Sequence, residues 1–279
     1  MKNYKIENNK IIITDLSSFN VEQILNCGQI FRYVIDGDVA KVYSKNKMAV
    51  LLTKDDRVEI ETSDVGYFVN FFDLNTDYEQ IKTKLMQDKF LTNSIEFGYG
   101  IRILKNDCYE MIISFIISAN NNIKRIKNSI NYLCEKFGEK CDGFYAFPTL
   151  EQLRTATVQD FKDAGLGYRA EYLFETVNYL TEDMIGELKH KTKDEKFNFL
   201  VSLKGVGEKV ANCILLFGLD EKNVFPVDTW INKVYNKINN TNFTNRKEIT
   251  KQLTEKYGEL AGFAQQYFFY YFRENKIND

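Results

Sequence analysis

Two residues in this chain have the types and spacing for covalent chemistry. Lys209 opens an apolar-periodic segment directly after Leu203-Lys204-Gly205-Val206-Gly207-Glu208, and Asp228 follows it by nineteen residues, after Phe225-Pro226-Val227. A lysine amine that has lost its proton is a nucleophile suited to Schiff-base formation. Lys209 falls in the first turn of its expected helix, at the positive end of the dipole, where a cation is disfavoured. Such a placement either costs stability or serves to lower the lysine pKa. Asp228 precedes the periodic residues Ile231, Val234 and Ile238 and comes just after a proline, which places it at a helix N-cap. A structural cap accounts for that position by itself. One helix and one loop separate the two residues, however, so their side chains can face each other.

The segment around Lys209 reads as helix, Gly-Val-Gly turn, helix. Two glycines flanking one apolar residue permit a sharp turn with close backbone approach. Amides at the start of the second helix are then free to donate to an anion such as a phosphate. Gly-x-Gly alone fits an ordinary helical hairpin equally well. Cys213, four residues after Lys209, shares its helical face.

The elements that must hold these residues follow from pattern. The chain has 279 residues, 44% apolar and 14% aromatic, which is enough for a sizeable core and excludes general disorder. Residues 1 to about 65 read as strands: Lys10 to Thr14, Phe31 to Ile35, Val39 to Tyr43, Met48 to Leu52 and Arg57 to Glu61. Asp36-Gly37-Asp38 between two of them signals a tight hairpin turn. From about residue 66 the period becomes helical, with Val65, Phe68, Val69 and Phe72 at i, i+3, i+4 and i+7. Further helices are expected at 107–119, 122–137, 149–155, 158–164, 169–182, 194–202, 208–217, 229–238, 246–257 and 260–274, so the rest reads as all-helical. The expected class is α+β. An N-terminal antiparallel β domain with trailing helices spans 1–95, and a helical domain spans 96–279, with its hairpin at about 200–217 and C-terminal helices at 246–274.

Other chemistries drop out. The five cysteines are odd in number and scattered, and His190 is the only histidine. Zinc sites, iron–sulfur clusters and histidine-assisted nucleophiles are therefore not expected. The longest apolar runs, such as Met111 to Ile117, reach seven residues, and a membrane span needs about 18 to 20. A soluble, cytoplasmic monomer is expected, nucleoid-associated if prokaryotic. The net charge of −2 is not that of a generic polyanion binder. Its distribution is uneven: residues 100–132 carry Arg102, Lys105, Lys124, Arg125 and Lys127 against Asp107 and Glu110, whereas residues 54–80 are strongly acidic. The first stretch is where a basic surface is expected.

The hairpin with its downstream Pro226-Val227-Asp228 resembles the helix-hairpin-helix motif of the DNA glycosylase superfamily. Its lysine form is similar to that of the bifunctional members, which are glycosylases with abasic-site lyase activity. The whole chain resembles the 8-oxoguanine DNA glycosylase family. Asn26-Cys27-Gly28-Gln29-Ile30-Phe31-Arg32 resembles that family's Gly-Gln-x-Phe-Arg segment, and Ser118-Ala119-Asn120-Asn121-Asn122-Ile123-Lys124-Arg125 its triple-asparagine segment. Gly165-Leu166-Gly167-Tyr168-Arg169-Ala170 resembles its Gly-Leu-Gly-Tyr-Arg-Ala loop, and Ala261-Gly262-Phe263-Ala264-Gln265 its Ala-Gly-Trp-Ala-Gln.

The resemblance implies a role for each position. Chemistry on a base within a duplex requires the nucleotide to be flipped out of the stack. Lys209 is then expected to attack the anomeric carbon, expel the base and leave an imine through which β-elimination nicks the strand. Asp228 stabilises the developing sugar cation and orients or deprotonates the lysine. Gly28 offers a backbone carbonyl to the hydrogen that 8-oxoguanine carries at N7, where guanine has an acceptor. Cys213 and Phe269 sandwich the base, with Gln265 at its pairing edge, although a buried cysteine and an aromatic stripe are ordinary core features as well. Tyr168 fills the vacated stack, and Asn120, Arg125 and Arg169 read the orphaned cytosine. Gly205, Gly207 and Val210 supply DNA contacts at the hairpin, and Trp230 a further one.

The implied partner is therefore double-stranded DNA containing 8-oxoguanine. No organic cofactor or resident metal is implied, beyond a monovalent cation at the hairpin carbonyls. Trp230 stands where better-known members have histidine, and it can only stack or donate one hydrogen bond. Two other readings fit the same residues: a glycosylase of this superfamily for another damaged base, or a non-catalytic helix-hairpin-helix binding module.

Overall fold

A computed structural model describes residues 4–275. Strands β1 (Tyr4–Glu7), β2 (Lys10–Ile13), β3 (Tyr33–Asp36), β4 (Val39–Ser44), β5 (Lys47–Thr53) and β6 (Val58–Thr62) form one sheet, in the order β1-β2-β6-β5-β4-β3. All the pairings are antiparallel. Asp36 pairs with Val39 across the expected tight turn, and Gly37 takes the positive φ of 56° that such a turn needs. Alternation sends Ile11, Ile13, Ala40, Val42, Ala49, Leu51, Val58 and Ile60 inward. Helix α2 (Val65–Phe71) covers that face with Phe68, Phe71 and the following Phe72.

Two expectations for this region need correction. Helix α1 (Val21–Asn26) lies between β2 and β3, within a stretch read as strands. Asn20 caps it by accepting from the Gln23 amide, and Val21, Ile24 and Leu25 bury an i, i+3, i+4 face. The strand expected from Phe31 instead starts at Tyr33. Phe31 and Arg32 leave the sheet: Phe31 packs edge-on to Phe115 at 5.7 Å, and Arg32 is buried in an ion pair with Glu110.

The remainder comprises α3 (Tyr78–Leu85), α4 (Lys89–Phe97), α5 (Cys108–Ser118), α6 (Ile123–Phe137), α7 (Leu150–Arg154), α8 (Val158–Asp163), α9 (Arg169–Tyr179), α10 (Glu182–Leu188), α11 (Lys193–Ser202), α12 (Glu208–Gly218), α13 (Thr229–Asn239), α14 (Arg246–Tyr257) and α15 (Ala261–Glu274). It is not all-helical. β7 (Lys140–Cys141) and β8 (Phe144–Tyr145) form a small hairpin around Asp142-Gly143, a turn dipeptide with Gly143 at φ 77°. The single helix expected over 169–182 is broken after Tyr179, because Thr181 caps a new helix by accepting from the Met184 amide.

Helix α5 is buried on all sides from Met111 to Ile117 and packs against α6, α9 and α12, so its apolar run is the centre of the helical body. Among the described residues no helix is long and apolar enough to cross a membrane. Tyr78, Leu85, Leu91 and Ile95 of α3 and α4 pack into this helical core, while Leu74 still belongs to the sheet core.

Candidate active site

Hairpin α11–turn–α12 is built as its sequence requires. Gly205 has a φ of 81°, and a Cβ there would lie 2.5 Å from the Tyr172 ring, so only glycine fits. Gly207 starts α12 with no side-chain cap, and its carbonyl accepts from Ala211 to close the first turn. The amides of Glu208, Lys209 and Val210 therefore precede the first intrahelical bond and point out of the helix end. The Val210 side chain is buried, which leaves its amide as the part that a ligand could reach.

Lys209 is half-buried, with its ammonium 5.8 Å from the centroid of the Phe115 ring. It is hydrogen-bonded to Cys213 one turn along. Cys213 first, then the Asp228 carboxylate, hold the Lys209 pKa above its ordinary value, against the opposing effect of burial. Of the two alternatives the sequence leaves open for this lysine, a cost in stability or a lowered pKa, the raised value argues against the second. Burial in turn pushes the Cys213 thiol up. Asp228 caps α13 by accepting from the Ile231 amide at 2.8 Å, and its charge also reaches Lys209.

The second wall comes from the loop after α1. Gly28 is partly exposed between buried Cys27 and buried Gln29. Its φ is 80°, and a Cβ would lie 2.9 Å from Phe269 Cε1. Gln29 anchors the loop: its amide donates to the Ile24 and Arg102 carbonyls, and its oxygen accepts from the Leu104 amide at 2.7 Å. The sequence reading passed over Gln29, although a glutamine amid apolar residues beside a special glycine is the available signal. On α15, Gly262, Gln265 and Phe269 form an i, i+3, i+7 stripe. Gly262 sits so close to Leu216 of α12 that a Cβ would come within 2.4 Å of its Cδ1. That contact brings α15 against the far end of α12, the helix that carries Lys209 and Cys213. Gln265 is 5% exposed and its Oε1 has no hydrogen-bond partner. A buried orphan acceptor is costly, and a donor on a bound ligand would remove that cost.

A second group gathers at the turn after α5. Asn120 has a φ of 48° and is exposed; Asn121 bonds back to the Ile117 carbonyl, and Asn122 caps α6 through the Arg125 amide. Arg169 is buried and donates to the carbonyls of Ala119 (2.5 Å), Asn120 (2.6 Å) and Leu166 (3.3 Å). Its guanidinium is thus largely occupied in shaping the asparagine turn. Its carbon centre lies 4.4 Å from the ring centroid of Tyr168, which is 53% exposed. Tyr168 packs edge-on to Tyr172 at 5.7 Å, and Tyr172 is the ring under Gly205. Arg125 is exposed on α6. Trp230 is partly exposed on the first turn of α13, 5.7 Å from the Lys233 ammonium.

The basic surface expected over residues 100–132 is smaller than its charge count. Arg102 is buried and donates to the carbonyls of Phe72, Ser18, Asp73 and Thr76. Lys105 is paired with Asp73 and Asp220, and Lys127 lies 3.7 Å from the Tyr33 ring centroid with its pKa lowered by burial. Lys124 and Arg125 remain exposed. Among the described residues no cluster of three His, Cys, Asp or Glu side chains could hold a metal ion.

Comparison with known proteins agrees with this construction. Residues 11–112 match the 8-oxoguanine DNA glycosylase N-terminal domain, and residues 113–259 match the HhH-GPD superfamily of base excision DNA repair proteins. The chain is 30% identical to a probable N-glycosylase/DNA lyase of Methanothermobacter thermautotrophicus, covering 88% of this chain and 86% of the relative. It is also 30% identical to the N-glycosylase/DNA lyase of Saccharomyces cerevisiae, covering 88% and 74%. The 8-oxoguanine glycosylase/lyase of Clostridium acetobutylicum, solved with double-stranded DNA containing cytosine opposite 8-oxoguanine, superposes with a TM-score of 0.94 at 36% identity, over 99% of this chain and 100% of that one. The chain therefore belongs to the HhH-GPD superfamily of base excision DNA repair proteins, in the branch that carries the 8-oxoguanine DNA glycosylase N-terminal domain.

Proposed function

We propose that this protein excises 8-oxoguanine paired with cytosine from duplex DNA and then cleaves the resulting strand through a Schiff base on Lys209. The observation that carries the reading is the Lys209–Cys213–Asp228 group at the start of the hairpin's second helix, in a chain whose Gly28 loop packs on Phe269. The glycosylase/lyase relatives support the same class of reaction.

The chemistry follows from the groups present. Hairpin amides hold the DNA backbone, and the lesion nucleotide is extruded into the space between α12 and α15. Phe269 and Cys213 offer the two faces of that space, and Gln265 the acceptor at its edge. The Gly28 carbonyl accepts from the N7 hydrogen of 8-oxoguanine and faces a lone pair on guanine, so the same atom attracts one base and repels the other. Lys209 starts as the ammonium and must lose a proton before it reacts. Its lone pair then forms a bond to C1′ while the C1′–N9 bond breaks, and those electrons leave with the base, which takes up a proton. Asp228 stabilises the positive charge that spreads over the sugar during this exchange. Ring opening gives the imine, loss of a C2′ proton expels the 3′-phosphate, and water releases Lys209.

Borohydride reduction traps the imine and tests the reading. A covalent protein–DNA adduct is expected with 8-oxoguanine:cytosine duplexes, and none with Lys209→Gln. An adduct in the Gln variant would remove Lys209 from its role. Trapping only with alkylated purines or oxidised pyrimidines would reassign the substrate, and no adduct with any lesion would leave a DNA-binding module.

A further inference from the structure

We infer that Gln266 and Arg273, both on the C-terminal helix α15, are positioning residues that set the aim of the Gly28 carbonyl and thereby the lesion selectivity of the pocket; the inference rests on the function proposed above. Gln266 is 1% exposed, and its Nε2 donates to the Cys27 carbonyl at 2.6 Å. A carbonyl can only accept, so the acceptor fixes which end of the amide faces the loop. Seven residues along, the Arg273 guanidinium donates to the carbonyl of Asn26. Its carbon centre also lies 5.2 Å from the ring centroid of Phe269, the residue between the two clamps on the same helical stripe.

The consequence concerns peptide planes. The carbonyls of Asn26 and Cys27 are pulled toward α15, and the Gln29 carbonyl accepts from the Asn106 side chain at 3.4 Å. The Asn26–Cys27 and Cys27–Gly28 planes are thus held before Gly28 and the Gln29–Ile30 plane one step after it, so the left-handed Gly28 backbone is bracketed and the direction of its own carbonyl follows from that frame. A tilt of the Cys27–Gly28 plane turns that oxygen away from the base edge, and the attraction for the lesion hydrogen weakens together with the repulsion of guanine. The wall that stacks on the base and the acceptor that reads its edge are thus held by one helix, although the acceptor lies in the N-terminal loop.

The test separates reading the base from attacking the sugar. A duplex with a preformed abasic site has no base to read but still needs Lys209. In Gln266→Met, of similar size and without the donor, single-turnover excision of 8-oxoguanine opposite cytosine is expected to fall about tenfold, with trapping on the abasic duplex unchanged. In Gln266→Glu, the protonated acid donates to the Cys27 carbonyl whereas the carboxylate repels it. Excision relative to abasic trapping should therefore recover toward wild type as pH is lowered. Equal excision in the Met variant and wild type would overturn the inference. So would parallel loss on both duplexes in both variants, or a Glu variant whose ratio does not move with pH. If wild type itself fails to excise 8-oxoguanine yet traps on the abasic duplex, the proposed substrate is wrong, and the clamp fails only with it.

Discussion

The proposed lesion side and the proposed opposite-strand side of this protein are built in different ways. Around Gly28, side chains fix the backbone on both sides: Gln266 and Arg273 hold the carbonyls just before it, Gln29 just after it is anchored to the Arg102 carbonyl, and a Cβ at the glycine would meet Phe269. Around Asn120, Arg169 and the short-range bonds of Asn121 and Asn122 fix the backbone, while Asn120, Arg125 and Tyr168 project into solvent. A site that must tell two bases apart by one hydrogen needs a rigid acceptor, because a group that can swing aside discriminates poorly. A face that meets an orphaned base after flipping can complete its contacts when the duplex arrives. Substitutions on the first side should therefore change chemistry or selectivity, and those on the second should change affinity and its salt dependence.

The largest expected effect is in Lys209→Gln, with no borohydride adduct and no strand cleavage in gel assays. Asp228→Asn comes next. Asparagine caps helices as well as aspartate, so the melting temperature should hold while single-turnover excision falls about 100- to 1,000-fold, the usual range for removing an electrostatic stabiliser. A comparable fall in stability would show that the residue is mainly a cap. Gly28→Ala must place a side chain at positive φ against Phe269, at a cost of about 1–3 kcal/mol. Thermal melting should register that cost, and 8-oxoguanine excision should drop more than abasic-site cleavage.

Cys213→Ala removes the first cause that raises the Lys209 pKa. The lysine then gives up its proton at lower pH, so the rising limb of abasic trapping against pH should move to the acid side; an alkaline shift would contradict the assigned cause. The smallest effect is expected for Arg125→Ala: binding weakened several-fold at low salt, and a salt slope shallower by about one if it contacts a phosphate. If this variant instead abolished excision, the contrast between the two sides would fail.

What the sequence disclosed follows the same division between local and distant causes. Lys209, Cys213 and Asp228 were legible because turn, helix period and cap are short-range signals. Gly28 was legible only through the Gly-Gln-x-Phe-Arg resemblance, and its partners Gln266 and Arg273 were not, because they come from the far end of the chain. Arg102 shows the limit of counting charges: it contributes to a basic stretch in sequence and to a cage of carbonyls in the fold. Helix α1 was missed because six residues between strands give too short a window for its period to stand out. The direction of the Lys209 shift was not legible, because the dipole argument leaves two alternatives open and says nothing of Cys213 and Asp228, the neighbours that raise it.

The contact chain from Gly205 through Tyr172 to Tyr168 has a mechanical consequence. The hairpin turn and the exposed Tyr168 ring are joined by a single aromatic spacer, with no slack between Gly205 and Tyr172. Under the proposed function, a hairpin seated on the strand sets the depth at which Tyr168 meets the duplex. The turn and the ring then act as one rigid gauge rather than as two independent contacts.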